Sequence, residues 1–230
     1  MIEAPESTVL DPAEGYARWA STYERETIVS LLDEKLVAGL TPPLMGRRLL
    51  DIGCGTGRRM VTANASSAVG VEPSREMIAA GVLNRRGRPE LSVRQGQAGD
   101  LPVADQEFDV VWCRLVLGHV ADLARPYSEM ARALSEDGSV VVSDFHPEAQ
   151  ARGHRRTFRS GSEVCEILSH PHSLADHVAA AAAAGLALVD GAEAPVGPAV
   201  RHLYAEAGRL ALYEEHFGLP LVFALRFERG

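Results

Sequence analysis

The sequence predicts an α/β fold, a seven-stranded, mostly parallel sheet with helices on both faces. Three observations predict it. Short apolar runs alternate with amphipathic helical segments along the chain. The runs are apolar at nearly every position, as strands covered on both faces require. The first of them, "RRLLDIG" ending at residue 53, leads straight into the glycine loop "CGTG", the junction of a strand–loop–helix unit.

Each element follows from local chemistry. Residues 11–39 read as one helix: Asp11 can cap it, Pro12 suits a first turn, and Tyr16, Trp19, Ala20, Tyr23, Ile28, Leu31 and Leu32 recur at helical spacing until "GLTPPLMG" stops it. The strand at 47–53, a helix opened by the glycine loop, and a strand at 68–73 come next. A helix at 74–86, strands at 91–96 and 108–114, a helix at 122–134 and a strand at 138–145 continue the alternation. Residues 146–172 are polar, rich in Arg and His and without a clear period, so they read as a loop or cap above the sheet. Ser173 then caps a helix that Gly185 stops, and a strand at 186–196, an amphipathic helix at 199–218 and a last strand at 220–229 complete the series.

With 230 residues and 46% hydrophobic content, the chain suits one α/β domain over residues 1–230. Its 31 acidic against 23 basic residues give a net charge of −8, which offers no electrostatic footprint for a phosphate backbone and disfavours a nucleic-acid partner. The longest apolar stretch, 177–189, is interrupted by Gly185 and falls short of the roughly 20 residues of a spanning helix, so no membrane partner is expected. Cys54, Cys113 and Cys165 are odd in number, with no CxxC and no signal peptide ahead of them, and point to the reducing cytoplasm.

The glycines of the first loop let a ligand approach backbone N–H groups at a helix N-terminus. They stand at 53, 55 and 57, whereas a dinucleotide fingerprint wants its third glycine where Arg58 stands. Glu72 ends the next strand, where an acidic side chain can accept from both ribose hydroxyls of a nucleoside. The plainer alternatives are a tight turn for the glycines and a charge at a helix N-terminus for Glu72.

Taken together, these segments resemble the class I methyltransferases that use S-adenosylmethionine, in the large subgroup acting on small molecules. "LLDIGCGTGR" resembles their first motif, "VGVEPSREMI" their ribose-binding second strand, "LPVADQEFDVVWCRLVLGHVAD" their fourth strand and its exit, and "EMARALSEDGSVVVSDF" their fifth. "GYARWASTYE" resembles the N-terminal helix that closes over the cofactor. The similarity covers nearly the whole chain and is least typical at 146–172. The resemblance implies a Rossmann-like fold with an antiparallel last strand, an N-terminal helical lid at 1–45, and a cap inserted at 146–172.

The resemblance also implies roles for individual residues. Asp51, Gly53 and Gly55 would form the floor beneath the methionine part of S-adenosylmethionine, Glu72 would hold the ribose, and Met77 would lie along the adenine. Tyr16 and Tyr23 would face the methionine carboxylate from the lid. Arg114 and Leu115 stand at the exit of the fourth strand, where backbone carbonyls meet the ammonium. Gln97 occupies the place of an Asp that accepts from the adenine amino group; its carbonyl can do the same, and the Ala98 N–H stays available to the ring. A register three residues further on would give the role to Asp100.

Methyl transfer is an in-line displacement, so alignment is the main task and no covalent intermediate is needed. A phenol, hydroxyl or protonated amine acceptor also calls for a base, and histidine is the natural one. His119 and His146 follow the fourth and fifth strands and are expected at the carboxyl edge of the sheet, where ligands bind. His146 is taken as the base, His172 as its support and His119 as a further candidate; a helix cap at His119 and a satisfied turn residue at His146 are the plain alternatives. His146, His154, His170 and His172 fall in one segment, but Pro171 sets the last two apart, and no metal is expected. Arg152, Arg155, Arg156 and Arg159 read either as a lid that meets a carboxylate or phosphate on the acceptor or as a solvated face.

The expected reaction is methyl transfer to an O, N or C atom of a small molecule, with a specialised metabolite favoured. An NAD-dependent oxidoreductase lacks its third glycine and its Tyr-x-x-x-Lys pair here. Two other readings stay open: a methyltransferase acting on RNA or protein, and an S-adenosylmethionine-binding protein that catalyses another reaction or acts as a sensor. The helix at 199–218 can pack on the sheet or on a partner, so the chain is expected to be a monomer or a homodimer.

Overall fold

In chain order, the computed structural model places β1 (Thr8–Leu10), α1 (Pro12–Trp19), α2 (Ile28–Leu40), β2 (Arg48–Ile52), α3 (Arg58–Thr62), β3 (Ser67–Glu72), α4 (Arg75–Ala80), β4 (Leu91–Gln95) and β5 (Phe108–Arg114). These are followed by α5 (Ala124–Ala133), β6 (Leu134–Phe145), α6 (Pro147–Ala151), β7 (Thr157–Ser160), β8 (Glu163–Ile167), α7 (Leu174–Ala183), β9 (Leu186–Pro195), α8 (Arg201–Glu206), α9 (Leu210–His216) and β10 (Pro220–Arg229). The structure describes residues 7–230, so the first six residues of the expected lid at 1–45 lie outside the described residues.

Seven strands form one sheet in the order β4-β3-β2-β5-β6-β10-β9. Strands β2 to β6 pair in parallel, and β10, the last, runs antiparallel to both β6 and β9. The uniform apolar runs are explained by their two-residue period. Leu50, Val111, Cys113, Val140, Val142, Phe223 and Leu225 pack on one face with Tyr127 and Met130 of α5 and Ala181 of α7. Leu49, Val110, Trp112, Val141 and Ala224 pack on the other with Val37 and Leu40 of α2. Alternate side chains thus enter two cores, which an alternating apolar-polar strand could not supply.

Four expected elements differ. The helix expected at 74–86 ends at Ala80, with Gly81 as its cap. The single helix at 11–39 is two, because Thr27 forms a capping box with Ser30 and starts α2 afresh. The helix at 199–218 is likewise broken into α8 and α9 at Gly208, whose φ is +67°. Residues 146–172, expected to be irregular, contain α6 and a β7–β8 hairpin, and β8 pairs in parallel with β1 to make a three-stranded sheet. The N-terminal segment, expected as a lid, and residues 146–172, expected as a cap, therefore pack together, with Trp19 stacked on Phe158 at 5.0 Å. The two-residue Gly161–Ser162 turn between alternating runs was the legible signal for the hairpin.

Between α5 and α7 the Tyr127 hydroxyl lies 3.0 Å from His177 Nδ1. Burial pushes His177 down from 6.5 to about 4, so the folded chain holds it neutral. A base lowered in this way stabilises the fold fully above pH 6.5, and the contribution is lost as pH falls toward 4, because the unfolded chain takes up the proton first. Urea titrations of wild type and His177→Gln across that window should show the wild type losing up to about 3 kcal/mol more. Parallel pH profiles would show that the ring is not desolvated as described.

Candidate functional site

Strand order reverses between β2 and β5, and the crevice at their carboxyl ends is the switch point where open α/β sheets bind ligands. A cavity of about 410 Å³ opens there. It is lined by Gly53 and Gly55 from the loop after β2, Glu72 at the end of β3, Met77 of α4, Gln97 and Ala98 after β4, and Arg114, Leu115 and Val116 at the exit of β5. The lid contributes Pro12, Ala13, Tyr16 and Tyr23.

The loop geometry requires glycine. Gly53 has φ +67°, and a Cβ there would come within 2.2 Å of Val116 Cγ2. Gly55 has φ +58°, and its Cβ would meet Met77 Cε at 3.0 Å and Tyr23 Cε1 at 3.3 Å. Glu72 clasps the loop from the next strand: its two carboxylate oxygens accept from the Gly55 N–H and the Ser74 N–H, each at 2.9 Å. Burial raises its pKa, and the two backbone donors counteract that.

Asp51 is the one expected cofactor residue that does not line the cavity; it is 3% exposed, beneath the loop. Burial pushes its carboxyl up to about 7, against the lowering effect of Arg114 and with Asp33 and Glu72 adding to the rise. The Arg114 guanidinium is directed to Asp33 of α2, with Nη2 at 2.6 Å and Nε at 3.1 Å from Oδ2, and Ser143 Oγ donates to the other carboxylate oxygen. The region beneath the cavity therefore holds three buried carboxylates against one buried arginine. That imbalance suits a cationic ligand.

Leu115 stands at φ +58°, outside the usual range for its residue type, and its N–H donates to the Ser143 carbonyl at 2.7 Å. Gln97 and Ala98 line the cavity, and Asp100 is not among its lining residues.

The histidines separate. His119 reaches the cavity wall. Its Nδ1 lies 3.1 Å from the Leu168 carbonyl and donates to it, so Nε2 accepts from the Tyr16 hydroxyl at 2.9 Å. Arg156 Nη1 in turn donates to the Tyr16 oxygen at 3.0 Å, and its guanidinium stands 3.8 Å from Asp144, which accepts from the Gly118 and Phe145 N–H groups. Burial, with Arg156 adding to it, lowers His119 to about 4, and burial raises the Tyr16 phenol.

His146 and His172, expected as base and support, do not line this cavity. His146 caps α6, with Nδ1 accepting from the Glu148 N–H at 3.2 Å and Nε2 3.4 Å from Glu193. His172 Nε2 donates to the Val120 carbonyl at 2.7 Å. Asp33, Asp144 and Arg156 complete the surroundings and were not assigned these contacts from the sequence, since nothing local marks their partners 81, 26 and 140 residues away. Among the described residues no group of three or more His, Cys, Asp or Glu side chains is placed to hold a metal ion.

A family model described as "Methyltransferase domain" matches residues 50–142. The 27-O-demethylrifamycin SV methyltransferase of Amycolatopsis mediterranei is 33% identical over 57% of this chain and 50% of its own length. A demethylmenaquinone methyltransferase of Roseiflexus is 37% identical over 51% and 52% of the two chains. The chain spans about half the length of the curated relatives it matches. Among solved structures, an S-adenosylmethionine-dependent methyltransferase of Mesorhizobium loti superposes with a TM-score of 0.67 at 20% identity, over 84% of this chain and 95% of that one, a likeness of fold.

Proposed function

We propose, from the premise that the chain carries a class I S-adenosylmethionine-dependent methyltransferase domain, that it methylates an O, N or C nucleophile of a small molecule, a specialised metabolite by preference. The observation that carries the reading is the cavity at the switch point, whose glycine floor, buried acidic strand end and aromatic lid fit a nucleoside bearing positive charge. The fit is tested by Gly53 and Gly55: side chains there would fill the space over the loop.

Glu72 would take the ribose hydroxyls on its remaining lone pairs, Met77 would flank the adenine, Gln97 and Ala98 would meet its polar edge, and Tyr16 and Tyr23 would close over the methionine end. When bound, S-adenosylmethionine supplies a methyl carbon that takes up the acceptor's lone pair while the C–S bond pair returns to sulfur as a neutral thioether. The chain's own residues align the reactants and exclude water: α1 covers the opening, and the β1–β8–β7 sheet holds α1 in place. His119 is neutral and presents Nε2 toward Tyr16, so it orients the lid tyrosine and accepts a proton from the acceptor only weakly; a proton released at neutral pH passes on to water.

The net charge of −8 and the printed substrates of the Amycolatopsis and Roseiflexus relatives support a small-molecule acceptor over nucleic acid, although a tRNA U34 carboxymethyltransferase is 35% identical over 43% of the chain. Among the described residues no helix is long and apolar enough to cross a membrane. Three buried, free thiols support a cytoplasmic setting, where the chain would act as a monomer or homodimer.

Calorimetric titration with S-adenosylmethionine and its demethylated product, beside Glu72→Gln, tests the reading. Binding by wild type, weakened about tenfold or more by the substitution through lost loop and ribose contacts, is the expected result. A wild-type protein that binds neither compound overturns it.

A further inference from the structure

A second cavity, of about 270 Å³, lies on the far side of the lid and shares Tyr23 and Leu115 with the first as walls. Its lining has a charge opposite to that of the chain. Arg25, Arg58, Arg155, Arg156 and Arg209 all line it, drawn from the segment before α2, the first residue of α3, the cap and the α8–α9 turn. Among the described residues no Asp or Glu lines it, in a protein of net charge −8.

These arginines are engaged mostly by uncharged groups. Arg58 donates to the Glu24 backbone carbonyl, and Arg155 to the backbone carbonyls of Gln150 and His154, with Glu166 at 3.7 Å. Arg156 is 9% exposed and lies over the Phe145 ring at 5.0 Å, with its only carboxylate at 3.8 Å. The rest of the wall is apolar and aromatic, from Trp19, Phe145, Tyr204, Leu212 and Leu221. At one end the rings of His154 and His216 stand 4.4 Å apart, each with a buried nitrogen lacking a hydrogen-bond partner.

We infer that this cavity is the acceptor site and that the acceptor is a small anion with an apolar body, its carboxylate or phosphate held by the arginines while its nucleophilic atom lies at the boundary with the first cavity, where Tyr23 and Leu115 line both. The inference rests on the proposed methyl transfer for the word acceptor; the anion site itself rests on the arginines alone. Guanidinium groups converging on a low-dielectric pocket bind carboxylates and phosphates through paired N–H donors and raise the local concentration of anions. The two cavities then divide the reactants by charge: buried carboxylates beneath the one, arginines around the other. Arg156 joins them, since it lines the second cavity and donates to Tyr16 in the first.

The test uses the whole chain and defined probes. Benzoate, phenyl phosphate, inorganic phosphate and the neutral analogue benzamide are titrated by calorimetry and ligand-observed NMR, with and without the demethylated cofactor product. The same titrations are run on Arg25→Gln/Arg209→Gln, two exposed positions outside the first cavity. Either aromatic anion should bind at least about tenfold more tightly than benzamide, and the double variant should lose about tenfold in anion affinity with cofactor-product binding unchanged. Preference for benzoate or phenyl phosphate identifies the anionic group. Tighter binding of inorganic phosphate than of either aromatic probe overturns the apolar-body part of the inference. Equal binding of benzamide, no anion binding at millimolar concentration, or anion binding untouched by the substitutions overturns the site. If anions bind and the cofactor product does not, the acceptor role falls with the functional proposal.

Discussion

Gly53→Val should lose S-adenosylmethionine affinity by more than about a hundredfold. Two effects act together. At φ +67° a β-branched residue is strained by about 1–3 kcal/mol, and the added Cβ would lie 2.2 Å from Val116 Cγ2, so that the Val116 side chain or the loop must move. A shifted loop carries with it the Gly55 N–H that Glu72 holds. The measurement is calorimetric affinity alongside circular dichroism, to separate a displaced loop from an unfolded chain. Gly53→Ala combined with Val116→Ala removes the overlap while keeping the unfavourable φ, and should recover part of the affinity. A Gly53→Val protein that binds like wild type would mean that the ligand does not lie on this loop.

Asp33→Ala should destabilise the fold by about 3–5 kcal/mol, the cost of leaving a buried guanidinium without its counter-charge. The pair is nearly dry: the Arg114 and Asp33 side chains are 8% and 4% exposed. The same carboxylate also accepts from Ser143, so the substitution leaves a second buried donor unmet. Urea denaturation gives the stability change. Asp33→Ala/Arg114→Leu should recover most of it, since removing both partners of a buried pair is often close to neutral. A single variant that costs less than about 1 kcal/mol would place the pair among solvent-screened surface bridges. Affinity for S-adenosylmethionine should fall in the single variant as well, because the freed arginine adds positive charge beneath the cavity that is proposed to take a cation.

How much of the site could be read in advance depends on how far apart its parts lie in the chain. Gly53, Gly55, Glu72 and Met77 fall within one strand–loop–helix–strand–helix stretch, where local sequence restricts the backbone so tightly that their meeting follows from the order of residues. Gln97 and Ala98 were placed only to within three residues, because the turn after β4 has no strong register signal; the cavity is lined by Gln97 and Ala98. The histidines were ranked by which strand they follow, whereas the cavity takes one of them, His119, into its lining. His146 is taken up by the start of α6, while His119, one strand earlier, meets Tyr16 across 103 residues of chain.

The sheet and its crevice follow from the order of residues: uniformly apolar runs must be buried on both sides, and glycines at 53 and 55 permit positive φ at the carboxyl edge of the first strand of that sheet. The surroundings of the crevice follow from long-range packing instead. Pairing β1 with β8 joined residues 157 apart in the chain into one sheet beside the crevice, and no local periodicity encodes that. Folding also sorted the charges. Asp33, Asp51 and Glu72 come together beneath one cavity and five arginines around the other only when helices and loops distant in sequence pack, because Coulomb interactions depend on distance in space and on burial, neither of which a linear chain displays.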